Sequence, residues 1–116
     1  MQFLLLIYEN ESIIANRDEQ SQAQVIQAYA EYTKNIKDSG NYVGGDALEP
    51  VATATSVRIR GGERTITDGP FAETAEQLGG YYMVEAANLD EAIELAAGIP
   101  AAKTGCIEVR PVMVWN

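Results

Sequence analysis

Two segments of this chain carry helical periodicity, and strand-patterned segments lie before, between and after them. In the first, Val25, Ile26, Tyr29, Tyr32, Thr33 and Ile36 recur at spacings of three and four and make one apolar stripe. A polar stretch with Asp18 and the capping-box pair Ser21 and Gln24 precedes the stripe, and Gly40 supplies a left-handed stop after it. The spacing predicts a helix from about Asp18 to Ser39. In the second segment Leu89, Ala92, Ile93 and Ala96 share a face, Asn88 with Glu91 forms an opening capping box, and Gly98 as a left-handed cap, followed by Pro100, ends the ladder.

The remaining apolar residues follow strand rules. The run from Phe3 to Tyr8 reads as a buried strand over about residues 2 to 8. It has no basic flank and no small-residue cleavage site, so it is not read as a signal peptide. Asn41 to Leu48 follows the first helix, and a β-rich segment runs from Thr53 to Arg60. There Val57 and Ile59 alternate with Ser56, Arg58 and Arg60, so the Val57 face is expected to be buried and Arg58 and Arg60 solvated. Gly61 and Gly62 signal a two-residue hairpin with Glu63 to Thr67 as the returning strand. Gly80 to Ala86 reads as a further strand. The last strand runs from Ile107 to Arg110 and continues past Pro111 to Trp115.

This order, β, α, β, β-hairpin, β, α, β, predicts an α+β fold: a ferredoxin-like split βαβ arrangement with an added hairpin, in one domain over residues 1–116. Two helices cover only one face of such a sheet. A second copy is the simplest cover for the other, so a homodimer built as an α+β barrel is expected.

Composition narrows the function. Eight Lys and Arg stand against 17 Asp and Glu, and the net charge of −9 opposes contact with phosphate backbones and anionic lipid. No direct nucleic-acid partner and no membrane partner is expected. Histidine is absent, which removes the commonest general base and the commonest metal ligand together. With one cysteine there is no internal disulfide and no sign of an oxidising compartment, so a cytoplasmic location is expected. Neither Gly44-Gly45 nor Gly79-Gly80 belongs to a phosphate-binding loop, and no cofactor and no metal is expected. Cys106, at the start of the last strand, reads as a small buried hydrophobe, since no histidine is present to activate it.

The most distinctive local sequence is Thr67-Asp68-Gly69-Pro70-Phe71-Ala72-Glu73-Thr74, continuing through Gln77-Leu78-Gly79-Gly80-Tyr81-Tyr82. Its turn chemistry is plain: Asp68-Gly69 favours a tight turn with Asp68 capping its own backbone, Pro70 fixes φ, and Phe71 is expected to pin the loop to the core. The segment TDGPFAETAEQLGGYYMVEA resembles the signature of DGPF-domain proteins within the YCII-related family. YVGGDALEPVATATSVRIR upstream and LDEAIELAAGIPAAKTGCIEVRPV downstream resemble the same family, so the likeness spans nearly the whole chain.

The resemblance implies a ferredoxin-like subunit that dimerises as an α+β barrel, a scaffold shared with muconolactone-isomerase-like enzymes and small monooxygenases. It also implies a regulatory setting, because some DGPF proteins are encoded beside or fused to extracytoplasmic-function sigma factors. Some relatives carry a helical histidine paired with an aspartate. Here the matching position is approximately Tyr29, a phenol with a reference pKa of about 10, so that acid/base mechanism does not transfer.

The candidate site residues follow. Tyr29, Asp68, Phe71 and Tyr82 are expected to bind a small organic ligand. Tyr81 and Tyr82 point to opposite sheet faces, so only one of them can share a pocket with Tyr29. The alternative is an isomerase- or lyase-type enzyme with Asp68 or Glu73 as acid/base and tyrosine as hydrogen-bond donor. Asp68, Glu73 and Glu76 lack the ligand spacing of a calcium loop and read as a solvated acidic loop.

Overall fold

A computed structural model describes residues 1–115. β1 (Gln2–Glu9) occupies the centre of a four-stranded antiparallel sheet in the order β2 (Tyr42–Ala47), β5 (Gln77–Glu85), β1, β6 (Cys106–Pro111). A short helix α1 (Glu11–Ala15) and the long α2 (Glu19–Asp38) join β1 to β2, and α3 (Leu89–Ala97) leads from β5 towards β6. The chain is therefore α+β, as its patterning predicts. No helix is long and apolar enough to cross a membrane among the described residues.

Alternation along β1 decides which way the sheet faces. Phe3, Leu5 and Ile7 point to one side, where Tyr32 and Ile36 of α2 and Ala92 and Ala96 of α3 close over them together with Tyr82 and Val84 of β5. Leu5 and Val84 are fully buried, each contributing about 1.5–3 kcal/mol of apolar transfer free energy. Alanine at the two helical contact positions lets α3 lie close to the strands. Leu4, Leu6 and Tyr8 point to the opposite side with Met83, and among the described residues no helix covers them.

Helix α2 starts where the acidic cap permits. The Asp18 carboxylate accepts from Ser21 N at 2.7 Å, so Asp18 itself is the cap and the Ser21–Gln24 pair lies inside the helix. The bonds from Ser21 hold the Asp18 carboxyl below its ordinary pKa. Gly40 at φ 81° ends α2 in the left-handed region, but Gly98 at φ −81° closes α3 in a right-handed conformation, contrary to expectation. The stretch between β1 and α2, read from the sequence only as polar, holds α1. Its start is capped by Asn10, whose side chain accepts from Ser12 N.

The hairpin departs furthest from the sequence reading. β3 (Thr55–Arg60) and β4 (Glu63–Asp68) pair with each other through the expected Gly61-Gly62 turn but form a separate two-stranded ribbon. Because no other element lies against either side, Val57 and Ile59 are 58% and 64% exposed, and the expected burial of that face is corrected. The projecting ribbon also explains a radius of gyration of 16.2 Å, against about 13 Å for a compact chain of this length.

Two further readings change for reasons of strand parity and extent. Cys106 pairs with Tyr8 on the uncovered side of the sheet and is exposed, so it is not a buried hydrophobe. Strand β6 ends at Pro111; Val112 N still donates to Gln2 O of β1 at 2.9 Å, and Met113 to Trp115 lie outside the sheet, Trp115 being 86% exposed.

Candidate functional site

A cavity of about 770 Å³ lies where α1, α2, β2 and the edge of β5 meet. Its walls are mainly apolar, with Ile7 from the sheet, Ile14 from α1, Val25 and Ile26 from α2, and Leu48 after β2. Three tyrosines, Tyr29, Tyr42 and Tyr82, add rings with polar tips.

The helix and strand periods bring these residues together. Tyr29 and Thr33 are one turn apart on α2, and Tyr82 rises from β5 beneath them, with its hydroxyl 2.7 Å from Thr33 Oγ1. Tyr32, one position earlier, belongs to the core instead: its hydroxyl donates to Leu95 O at 2.6 Å and its ring meets Tyr82 edge-on at 5.3 Å. Gly45 allows β2 to close the wall, because a Cβ there would lie 2.7 Å from Tyr81 O and 2.9 Å from the Tyr82 ring.

At one wall of the cavity sits Glu9, the sole buried polar or charged residue among those described, at 7% exposure. Its carboxylate accepts from Arg17 Nη2 at 3.2 Å and from the Thr104 hydroxyl. Arg17, on the connection between α1 and α2, is itself largely buried and also lines the cavity. Its bonds among the described residues all leave from Nη2, so Nε and Nη1 have no protein acceptor. Gln22 contributes a second unmet group: its Oε1 is buried without a partner.

The rim is tied down by backbone-to-side-chain bonds. Glu11 N donates to Gln77 Oε1 at 2.9 Å, and the Glu11 carboxylate accepts from Val51 N at 2.9 Å. α1 is thereby fastened to the start of β5 and to the 3₁₀ turn Val51–Thr53, which sets the cavity's width.

Burial and the nearby Glu9 carboxylate push the Tyr29 hydroxyl up to about 12. Burial also raises Tyr32 and Tyr82, in Tyr82 against the opposing bond with Thr33. Tyr29 and Tyr82 therefore stay neutral phenols at neutral pH, able to donate or accept a hydrogen bond and unsuited to removing a proton from carbon. Tyr81 projects to the other sheet face, where its hydroxyl donates to Asp46 Oδ2 at 2.8 Å, although it too reaches the cavity wall.

The residues singled out from the sequence divide into two groups. Tyr29 and Tyr82 line the cavity; Asp68, Phe71 and Glu73 do not. Asp68 ends β4, and its side chain accepts no bond from the described residues; the turn is held by Gly69 N donating to Ala54 O at 2.6 Å and by Ser56 Oγ donating to Gly69 O at 2.9 Å. Phe71 is 79% exposed, so the expected pin to the core is absent within the chain: the ribbon carries the loop away from the sheet. Glu9 and Arg17 were not among the sequence candidates. A signal for Glu9 exists, since it falls on the parity of Phe3, Leu5 and Ile7 and so puts a carboxylate on the covered face.

Residues 1–116 match the model of the family described as YCII-related domain. An uncharacterized protein of Rhizobium meliloti (strain 1021) is 32% identical over 118 aligned residues, covering 100% of this chain and 95% of that protein.

Proposed function

Because the chain belongs to the YCII-related domain family, we propose that it is a small-molecule-binding protein that works as a homodimer and takes its ligand in the cavity between α2 and the sheet. The observation that carries this reading is the cavity of about 770 Å³, apolar along its length and furnished at its wall with a buried Glu9–Arg17 pair. Its size and its few convergent polar groups are those of small-molecule sites. Tyr29 and Tyr82 are the binding tyrosines in this reading.

The homodimer reading draws on the other side of the sheet. Leu4, Leu6, Tyr8 and Met83 form an apolar stripe that the chain leaves uncovered, and Val57, Ile59, Ile66 and Phe71 are exposed on the ribbon and its loop. The strand order β2-β5-β1-β6, with helices on one face only, supports a ferredoxin-like subunit whose open face meets a second copy to make an α+β barrel. Asp68 and Phe71 then act at the contact between copies rather than at the ligand of their own chain. The family resemblance extends the proposal to a regulatory setting beside a sigma factor in the cytoplasm, through small-molecule sensing, since the net charge of −9 opposes contact with nucleic acid.

The isomerase- or lyase-type reading has less support. Asp68 and Glu73 lie outside the cavity lining, and the cavity's tyrosines are held neutral.

The test is a thermal-shift screen of small organic compounds, followed by sedimentation of the protein at micromolar concentration. A ligand present at 100 times its Kd should stabilise the wild-type protein by about 2.7 kcal/mol. Ile26→Trp, at a 60% exposed position on the cavity wall, should abolish that gain without unfolding the chain. Stabilisation that survives Ile26→Trp would exclude the cavity, and a stable monomer would exclude the dimer.

A further inference from the structure

Four charged residues line the cavity, and their arrangement bears on what it accepts. Glu9 and Glu11 bring two carboxylates to the lining against the single guanidinium of Arg17, whereas the Asp46 carboxylate is turned to the Tyr81 hydroxyl on the other sheet face. Each carboxylate already has a donor: Glu9 takes Arg17 and Thr104, Glu11 takes Val51 N, and Asp46 takes the Tyr81 hydroxyl. The unmet hydrogen-bonding capacity lies in the Nε and Nη1 donors of Arg17 and in the buried Gln22 Oε1 acceptor. Both residues belong to the cavity lining, and the two Arg17 groups are not fully enclosed. Lys37 is held over the Tyr42 ring at 4.8 Å and is not part of the lining.

An anionic head group that approached the free Arg17 donors would meet the field of the Glu11 carboxylate and of the buried Glu9 carboxylate. A cationic head would meet the like charge of Arg17 and leave its Nε and Nη1 donors unmet. An uncharged acceptor avoids both penalties. It takes a charge-assisted bond from the guanidinium without adding charge of either sign. The apolar walls formed by Ile7, Ile14, Ile26 and Leu48 then accommodate a hydrocarbon or aromatic body.

We propose that the cavity selects uncharged molecules with an apolar body and a carbonyl-type head that accepts hydrogen bonds from Arg17, and that the Glu9 carboxylate enforces the exclusion of anions. This rests on the reading of the cavity as the ligand site. Glu9 has two roles in it: it holds the guanidinium through Nη2, which leaves Nε and Nη1 without a protein acceptor, and it supplies the negative charge that an acid head must overcome.

A matched probe series tests the head group while keeping the body constant: naphthylacetamide, naphthylacetate and naphthylethylamine, titrated at neutral pH into the wild-type protein and three variants. The amide should bind the wild-type protein at least about tenfold more tightly than either charged analogue, the difference expected from one hydrogen bond to a charged group. Arg17→Lys keeps a cation beside Glu9 but loses the planar fork, and should erase most of the amide's advantage. Glu9→Gln still offers Arg17 and Thr104 an acceptor oxygen, and should shift the preference towards the acetate by about tenfold, a change that a purely structural role for Glu9 would not produce. Urea midpoints of both variants show whether the fold is kept.

If the acetate or the amine binds the wild-type protein as tightly as the amide, or if Glu9→Gln leaves the amide-to-acetate ratio unchanged, the head-group assignment is wrong. The cavity would remain the site provided Ile26→Trp still blocks binding. Saturable binding that Ile26→Trp does not weaken, or no saturable binding of any of the three probes, overturns the site and the selectivity together.

Discussion

Removing Arg17 tests the buried pair at the cavity wall most directly. The Glu9 and Arg17 side chains are 8% and 16% exposed, and their closest nitrogen-to-oxygen distance is 3.2 Å. At that separation and an effective dielectric of about 20, their gross attraction is about 5 kcal/mol. Most of that offsets the desolvation of the two ions, so the net worth of the intact pair is small. Losing one partner is a different matter. Arg17→Ala leaves the carboxylate with only the Thr104 hydroxyl as a donor and should cost about 3–5 kcal/mol. Glu9→Leu combined with Arg17→Leu removes both charges and should restore most of that loss, because two apolar groups of similar reach can pack where the pair stood. Urea unfolding of the wild-type protein, Glu9→Leu, Arg17→Leu and the double variant, followed by tryptophan and tyrosine fluorescence, gives the four free energies of a double-mutant cycle. The coupling energy should be about 2 kcal/mol or more. A cost below about 1 kcal/mol for Arg17→Ala, the range of exposed ion pairs, would refute the argument. So would a double variant whose loss equals the sum of the single losses.

Alkaline pH should weaken the fold by a route set in the tyrosines. The Tyr29 pKa is raised from 10.0 to about 12, so the folded state keeps a proton that the unfolded chain releases; the resulting stability is full below pH 10 and lost as the pH rises towards 12. Denaturant midpoints that stay level across that interval, or phenolate absorbance from Tyr29 appearing near pH 10, would contradict the assigned burial. Phe71→Ala should cost less than about 1 kcal/mol in the isolated chain, since the ring is 79% exposed, and should instead weaken self-association measured by sedimentation. Asp68→Asn should shift the urea midpoint very little, because the turn is held by Gly69 and Ser56 and not by the Asp68 carboxylate. A chelator should leave the melting temperature unchanged, because the chain has no histidine and a single cysteine, and a fall of several degrees would point to a carboxylate-held ion.

Local chemistry in the sequence was enough to set most of the element order. The stripe from Val25 to Ile36 and the stop at Gly40 define α2, the Gly61-Gly62 pair defines the hairpin turn, and alternation defines β1. Each depends on neighbours within a few residues, which is why each is legible in one dimension. The family was legible for a related reason: the segment from Thr67 to Ala86 and its flanks keep their order along the whole chain. Tyr29 and Tyr82 could be singled out by residue type, but only packing shows that Thr33 joins their hydroxyl chemistry and that Tyr32, three residues along, belongs to the core.

Tertiary structure alone decided the fate of the ribbon and the composition of the cavity wall. Val57, Ile59 and Phe71 have the residue types of a core, yet burial depends on whether another element lies opposite, and among the described residues none does. Glu9 and Arg17 are eight positions apart, and nothing in their spacing predicts a buried pair. They meet because α1 folds the connection back over the end of β1, where Thr104 arrives from the far end of the chain to complete the carboxylate's bonds. Hydrophobic period is a property of neighbours along the chain, whereas the cost of burying a charge depends on partners that only the folded chain brings within reach.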